Sequence, residues 1–334
     1  MSFNSIPIYL HEPAHSSKNV QMSIEAFQKD WLKIHNLVID KKLFHYTNLE
    51  GLKGILRTRS LWFTHAGTLN DPMEIQYGRD FIVKLVNDFS QKENDEIFCS
   101  FFEQLKLQLS TLGKIIHHPF ICCFCEEGDL LSQWRAYADL GGGYSIGFSL
   151  NSNTCLSTDI RQTDNKKPLF LRKIIYRVDQ QRESVLNYLN LVVPIVKKEA
   201  KRLMESPTDT YPSTVLGVQV SNTLLDMMLC FKHPAFHEEK EWRLIRVTRD
   251  DFDADNLNFR GDSKNLIPYR SLFLYNNDEE NKEFPATSII NGPSAINDNK
   301  IAIELYLQHL ATDDHLIRIV PHKIQLKNAG YSLR

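Results

Sequence analysis

The chain carries no surplus of charge of either sign: 39 Lys and Arg against 41 Asp and Glu leave a formal charge of -2 over 334 residues. No global positive field advertises nucleic-acid binding, and long duplex DNA is disfavoured as a target. Long hydrophobic runs are missing too. The apolar stretch Leu189-Asn190-Leu191-Val192-Val193-Pro194-Ile195-Val196 is interrupted by Pro194 well short of the ~20 residues a membrane span needs. The N-terminus shows no basic flank leading into an apolar core, so a soluble, cytoplasmic, non-secreted protein that stays out of the membrane is expected. Cysteine is sparse. Cys122, Cys123 and Cys125 cluster while Cys99, Cys155 and Cys230 stand apart, and the paired C-x-x-C units of a zinc site are missing. Reduced, buried thiols serving as small hydrophobes are the expected reading. There is no Walker-type loop, Rossmann glycine pattern or nucleophile elbow; Gly141-Gly142-Gly143-Tyr144 lacks the trailing Lys-Ser/Thr of a phosphate loop.

What is present reads as an ordinary globular core, with 42% hydrophobic and 10% aromatic residues, which argues against a disordered or fibrous chain. Residues 1–42 read as an N-terminal helical extension, because Ile24, Phe27, Trp31, Ile34 and Val38 recur near helical spacing. Residues 43–334 read as a single α+β domain with helical insertions at about 81–112 and 179–230, the second broken at Pro194, Pro207 and Pro212. Asn48 is placed to cap a helix through Leu56, and Asp71-Pro72-Met73-Glu74 has the form of a capping box. Strands are expected at 43–46, 61–64, 120–124, 143–150, 173–178, 241–248, 267–274, 287–290 and 316–320, with helices at 130–140 and 295–310.

Two segments place polar groups inside half-buried strands: Phe44-His45-Tyr46-Thr47 and Glu239-Lys240-Glu241-Trp242-Arg243. If the second is extended, period-two alternation puts Glu239 and Glu241 on one face, so a His-Tyr strand and a Glu-x-Glu strand can line one cleft. Each residue also has a bland explanation. His45 can be a satisfied structural histidine, and Glu241 with Arg243 an ion pair on an exposed strand, worth ~0 to 1 kcal/mol. Leu130, Leu131, Trp134 and Tyr137 have the spacing of a core-facing helical stripe, and Asn291-Gly292-Pro293 reads as a turn.

Several motifs in order carry a family resemblance: His45-Tyr46-Thr47, Leu61-Trp62-Phe63, Asn70-Asp71-Pro72-Met73-Glu74, Leu131-Ser132-Gln133-Trp134-Arg135-Ala136-Tyr137, Tyr144-Ser145-Ile146-Gly147-Phe148, Glu239-Lys240-Glu241-Trp242-Arg243 and Ile289-Ile290-Asn291-Gly292-Pro293. Over roughly Leu43 to the C-terminus the chain resembles the bacterial domain of unknown function 2971. More loosely, the strand His, the strand aromatic with Ser and the late Glu-x-Glu resemble the three-part signature of ADP-ribosyltransferases. That likeness implies an α+β fold around a bent or split mixed sheet, and NAD as substrate. It implies that His45 bonds a ribose hydroxyl, that Tyr46, Trp62, Tyr137 or Tyr144 sandwich the nicotinamide, and that Arg135 reaches a phosphate, with Thr47 beside the cofactor. Glu241 would stabilise the oxocarbenium-like centre, an effect worth about 3 to 4 kcal/mol in a dry site. Glu239 would orient or deprotonate the acceptor, and Ser145 would support Glu241 from a neighbouring strand. The acceptor implied is a macromolecule, protein or nucleic acid, in a setting of toxins or phage-defence effectors that also fits an inhibitor or regulatory partner.

Two other readings stand beside this one. His233-x3-His237-x3-Glu241 has helical-face spacing that suits a metal-dependent hydrolase or nuclease, although Pro234 pushes His233 away from the helical region. A non-catalytic nucleotide-sensing or partner-binding module is the third.

Overall fold

The computed structural model describes residues 41–69, 73–92, 101–103, 105–107, 109, 118–151, 153–158, 171–205, 211–248, 257–261, 265–277, 281–294 and 299–330. The helix expected near the N-terminus, the Asn70-Asp71-Pro72 cap and Pro207 lie outside them. The chain divides into two compact units. Gly78–Leu112 and Val178–Leu229 belong to one, and His35–Tyr77, Gly113–Arg177 and Cys230–Arg334 to the other. The two stretches expected as insertions therefore share one helical unit.

The helical unit holds most of α2 (Met73–Ser90), helical residues within 101–109, α4 (Val178–Glu205) and α5 (Tyr211–Cys230). Its core includes Ile82, Val86, Phe102, Leu105, Val185, Leu189, Val192, Leu224 and Met228. A Cβ at Gly78 would lie 2.5 Å from the Met228 carbonyl, so glycine is what lets α2 and α5 approach. α4 continues through Pro194, where a break was expected, and Pro212 sits in the first turn of α5, where a missing N–H costs little. Among the described residues no helix is long and apolar enough to cross a membrane.

The sheet unit is α+β, built on a curled mixed sheet. Its strands are β1 (Lys41–Thr47), β2 (Ser60–His65), β3 (His118–Cys125), β4 (Tyr144–Leu150), β5 (Thr154–Ser157), β6 (Leu171–Lys173), β7 (Glu241–Thr248), β8 (Leu257–Gly261), β9 (Leu266–Asn277), β10 (Lys282–Glu283), β11 (Ala286–Asn291), β12 (Ile317–Arg318) and β13 (Gln325–Asn328). The order β12-β10-β9-β2-β3-β1-β4-β11-β13 forms the main path, with β7 and then β6 branching from β3, and β5 and β8 pairing β9. β10 with β12 and β11 with β13 run parallel, and the other pairs are antiparallel.

β3 is the pivot. One edge pairs β7 from His118↔Thr248 to Cys125↔Glu241. The other is shared, with β2 taking Phe120 and Ile121 and β1 taking Cys125. The sheet therefore splits between β1 and β2 along Cys122, Cys123 and Phe124. One face buries Leu43, Phe63, Phe120, Phe124, Ile146, Phe148, Trp242 and Leu244 beneath α1 (Leu49–Thr58) and α6 (Lys300–Ala311). Asn48 caps α1 as expected, its Oδ1 accepting from Gly51 N at 2.8 Å. The opposite face carries a smaller cluster, Tyr46, Cys125, Trp134, Ala138 and Ile290, under α3 (Leu131–Tyr137).

Candidate active site

The scattered motifs converge on Cys123: Glu241 and Arg243 on the face that α3 covers, and His45 from the split beside it. Register fixes which side chains point there. Cys123 opposes Arg243 and Cys125 opposes Glu241, so Glu241 and Arg243 share the face of Cys123. Glu239 reaches the same place by a different route. It ends a 3-10 helix, Pro234–Glu239, and Lys240 is left-handed at φ 45°, so the extended Glu-x-Glu expected from sequence is broken between the carboxylates. They converge through Lys232, whose ammonium bonds Glu239 and, at 2.9 Å, Glu241.

Glu241 is held on every side. Arg243 Nε and one terminal nitrogen form a fork to its two oxygens at 2.7 and 3.0 Å. The Cys123 thiol donates to its carboxylate, and its own backbone N–H donates to the Tyr176 hydroxyl at 3.0 Å. The pair expected on an exposed strand is thus buried, with Glu241 5% and Arg243 0% exposed. Burial pushes the Glu241 carboxyl up, with the Lys232 ammonium and the Cys123 thiol opposing. Burial draws the Arg243 guanidinium down, while the fork to Glu241 keeps it charged. Lys232 is desolvated as well, yet Glu241 and Glu239 more than offset this and hold it well above the ordinary lysine range. Burial, then the charge of Glu241, pushes Cys123 up, so the thiol stays protonated and remains a donor. Tyr137, at the end of α3 and 41% exposed, is raised by burial and then by the charge of Glu239.

His45 approaches Cys123 from the other edge. Strand alternation roots it on the α1 side with Leu43 and Thr47, on the face opposite Glu241, and it reaches the Cys123 backbone at the split. Its Nδ1 lies 2.9 Å from the Cys123 carbonyl, and since a carbonyl only accepts, Nδ1 carries the proton. Burial lowers its pKa, the Cys123 carbonyl opposes and the Arg260 charge adds to the lowering, so the ring is neutral with its lone pair on Nε2. The ring stands in the split, 5.8 Å from Phe124. His45 and Glu241, far apart in sequence, therefore both hydrogen-bond one residue, His45 through the carbonyl and Glu241 through the thiol. Cys123 and His45 are both half-buried.

The other expected site residues divide. Tyr46 is buried, its hydroxyl donating to Glu127 O at 2.8 Å and accepting from Leu130 N at 2.9 Å, its ring edge-on to Trp134. Tyr144 is buried on the α1 face and accepts from Asn299. Thr47 opposes Tyr144, on that face as well. Ser145 faces Tyr46 on β4, with β1 and β3 lying between it and Glu241, so the neighbouring-strand support expected of it is absent. Arg135 is exposed on α3. Trp62 is 44% exposed on β2, across the split.

Sequence reading missed Lys232, Tyr176 and the part Cys123 plays. The only local signal for Lys232 is a cation directly after the apolar run Met227-Met228-Leu229-Cys230-Phe231. His233 and His237 each bond the backbone of their own turn, to Ala235 N and Pro234 O. Among the described residues no group of three or more His, Cys, Asp or Glu side chains is arranged to hold a metal ion.

Residues 133–244 match the model of a family described as a protein of unknown function, DUF2971. The family resemblance seen in the sequence is borne out over that span, which holds most of α3, β4, Lys232, Glu239, Glu241 and Arg243; His45, Trp62 and Cys123 lie outside it. No curated protein and no solved structure matches the chain.

Proposed function

We propose that this protein is an NAD-dependent ADP-ribosyltransferase acting on a macromolecular target. The observation that carries the reading is the meeting of His45 and Glu241 on Cys123, at a split in a mixed sheet. A strand histidine with a fixed tautomer and a fixed strand carboxylate, on either side of a break in strand pairing, are elements that cleavage of a ribosyl-nicotinamide bond calls for.

In this reading Nε2 of neutral His45 accepts from a ribose hydroxyl. The C–N bond breaks with its electron pair leaving on nicotinamide, and positive charge develops on the ribose. Glu241, held by Arg243, Lys232 and Cys123, is an anion already in place and needs no reorganisation as that charge appears. Glu239, with a side chain 16% exposed, is the less buried of the two carboxylates and takes the proton of the attacking acceptor. The partly exposed Tyr137 supplies the aromatic wall beside the leaving group.

Nicotinamide release from NAD by the purified protein, alone and with a cell lysate, tests this. The expected result is release by wild type, loss of about 100-fold or more in Glu241→Gln, and retained NAD binding in that variant. Equal release by Glu241→Gln would overturn the assignment of Glu241.

A further inference from the structure

Across the split from Glu241 lies a second assembly on the same face of the sheet. Thr64 opposes Ile121, which opposes Ile245, so Thr64 and Trp62 project to the side that carries Cys123 and Glu241. Tyr269 opposes Thr64, and Arg260, opposite Ile267, follows with the same parity. The Trp62 and Tyr269 rings are 4.5 Å apart at 35°. The Arg260 guanidinium sits over both, 5.4 Å from the Trp62 centroid and 6.0 Å from that of Tyr269, and donates to Thr64 Oγ1 at 3.0 Å. Trp62 is nevertheless 44% exposed. A large aromatic ring stacked with Tyr269 and Arg260, yet this open to water, offers a stacking platform.

We infer that Trp62, Tyr269 and Arg260 take the adenine base of the dinucleotide, with Arg260 beside its phosphates. This rests on the NAD reading above. An aromatic face accepts any base, and a guanidinium beside it favours a base that carries phosphate. One base fits better than a nucleic-acid strand. A strand needs successive platforms along a basic track, whereas Phe259, the adjacent exposed aromatic, alternates to the other face. Continuing the β2 register past Thr64, from Trp62 to Glu241 is two strand spacings across and two residues along, about 10 Å by about 7 Å. An extended dinucleotide bridges that separation, with its nicotinamide at Tyr137 and its adenine at Trp62.

The test is equilibrium binding of adenosine monophosphate and of nicotinamide mononucleotide to wild type, Trp62→Ala, Trp62→Phe and Arg260→Gln, with melting temperatures checking the fold. Trp62→Ala is expected to weaken adenosine monophosphate by about 5- to 150-fold, the range of one base stacked on one aromatic. Trp62→Phe should recover most of the loss, and nicotinamide mononucleotide should bind all four alike. Adenosine monophosphate binding that is absent in wild type, or equal in Trp62→Ala, would overturn the inference. Trp62-dependent binding in a protein that leaves NAD uncleaved would uphold the stacking site and remove the transferase.

Discussion

Replacing Lys232 by Met should be among the most damaging single changes in the sheet unit, and its cost should depend on pH in a definite direction. The ammonium is 4% exposed and bonds two carboxylates, Glu239 at 16% and Glu241 at 7% side-chain exposure. Removing one partner of a buried ion pair costs about 3 to 5 kcal/mol, because the other charge is left uncompensated. Here Glu241 keeps its fork to Arg243 and its thiol bond, and water reaches part of Glu239, so the low end, about 3 kcal/mol, is expected. Burial already raises the Glu241 carboxyl with Lys232 opposing, and without the ammonium it rises further. An acid whose folded pKa lies above its unfolded value adds stability below the unfolded value and loses it as pH climbs through the folded one. The variant should therefore be closest to wild type in mild acid, and the gap should widen toward neutral pH. Equilibrium urea unfolding at several pH values, with coincident far-ultraviolet and tryptophan-emission transitions, measures this. Adding Glu241→Gln should recover part of the loss. A cost under about 1 kcal/mol at neutral pH, the size of a solvated surface pair, would refute the buried cluster, as would a gap that grows on acidification.

Glu126 accepts from Lys41 and from Trp242 Nε1, both at 2.7 Å, and pairs with Lys173 at 3.1 Å; burial opposes these contacts, but they hold its carboxyl down to about 2. Because the folded pKa is depressed, this stability is present above the usual carboxylate range and is lost as pH falls toward about 2. Glu126→Gln should cost about 2 kcal/mol at neutral pH after allowing for partial exposure, and nothing at the acid end of an unfolding series. Tyr46→Phe leaves the Leu130 N–H and the Glu127 carbonyl without the phenol, and unfolding should show a loss of about 1 to 3 kcal/mol. At Gly292 a Cβ would lie 2.1 Å from the Gly141 carbonyl, so Gly292→Ala should lower the melting temperature by an overpacking cost of about 1 to 3 kcal/mol.

How much of this was legible in sequence depended on where the information lies. β7 was read to its observed ends, Glu241–Thr248, because four of the six residues from Trp242 to Val247 are apolar, two of them β-branched. The Asn48 cap was legible because capping is settled within three residues. The C-terminal helix was placed at 295–310, and the described helix spans Lys300–Ala311. β8 and β13 were missed, since Leu257-Asn258-Phe259-Arg260-Gly261 and Gln325-Leu326-Lys327-Asn328 are mostly exposed and are strands only by pairing β9 and β11. Strand order decides the site and has no local signature. That β3 lies between β1 and β7 brings Cys123 to both His45 and Glu241, and it also separates Ser145 from Glu241. The cysteine run read as small hydrophobes; Cys122 and Cys125 are buried as expected, whereas Cys123 is half-buried and bonded on both sides. Gly143 and Gly292 are explained by close backbone approach, Gly292 N donating to Gly143 O at 2.9 Å.

The most direct measurement is the fate of NAD labelled in its adenylate phosphate when purified protein and bacterial lysate are incubated together, with wild type compared against Glu241→Gln. Label entering the protein or the nucleic-acid fraction with wild type, and not with the variant, is the predicted result and names the acceptor class. Intact NAD with both proteins, in the presence of lysate, would contradict the transferase reading and leave the Cys123 centre as a site for binding without turnover.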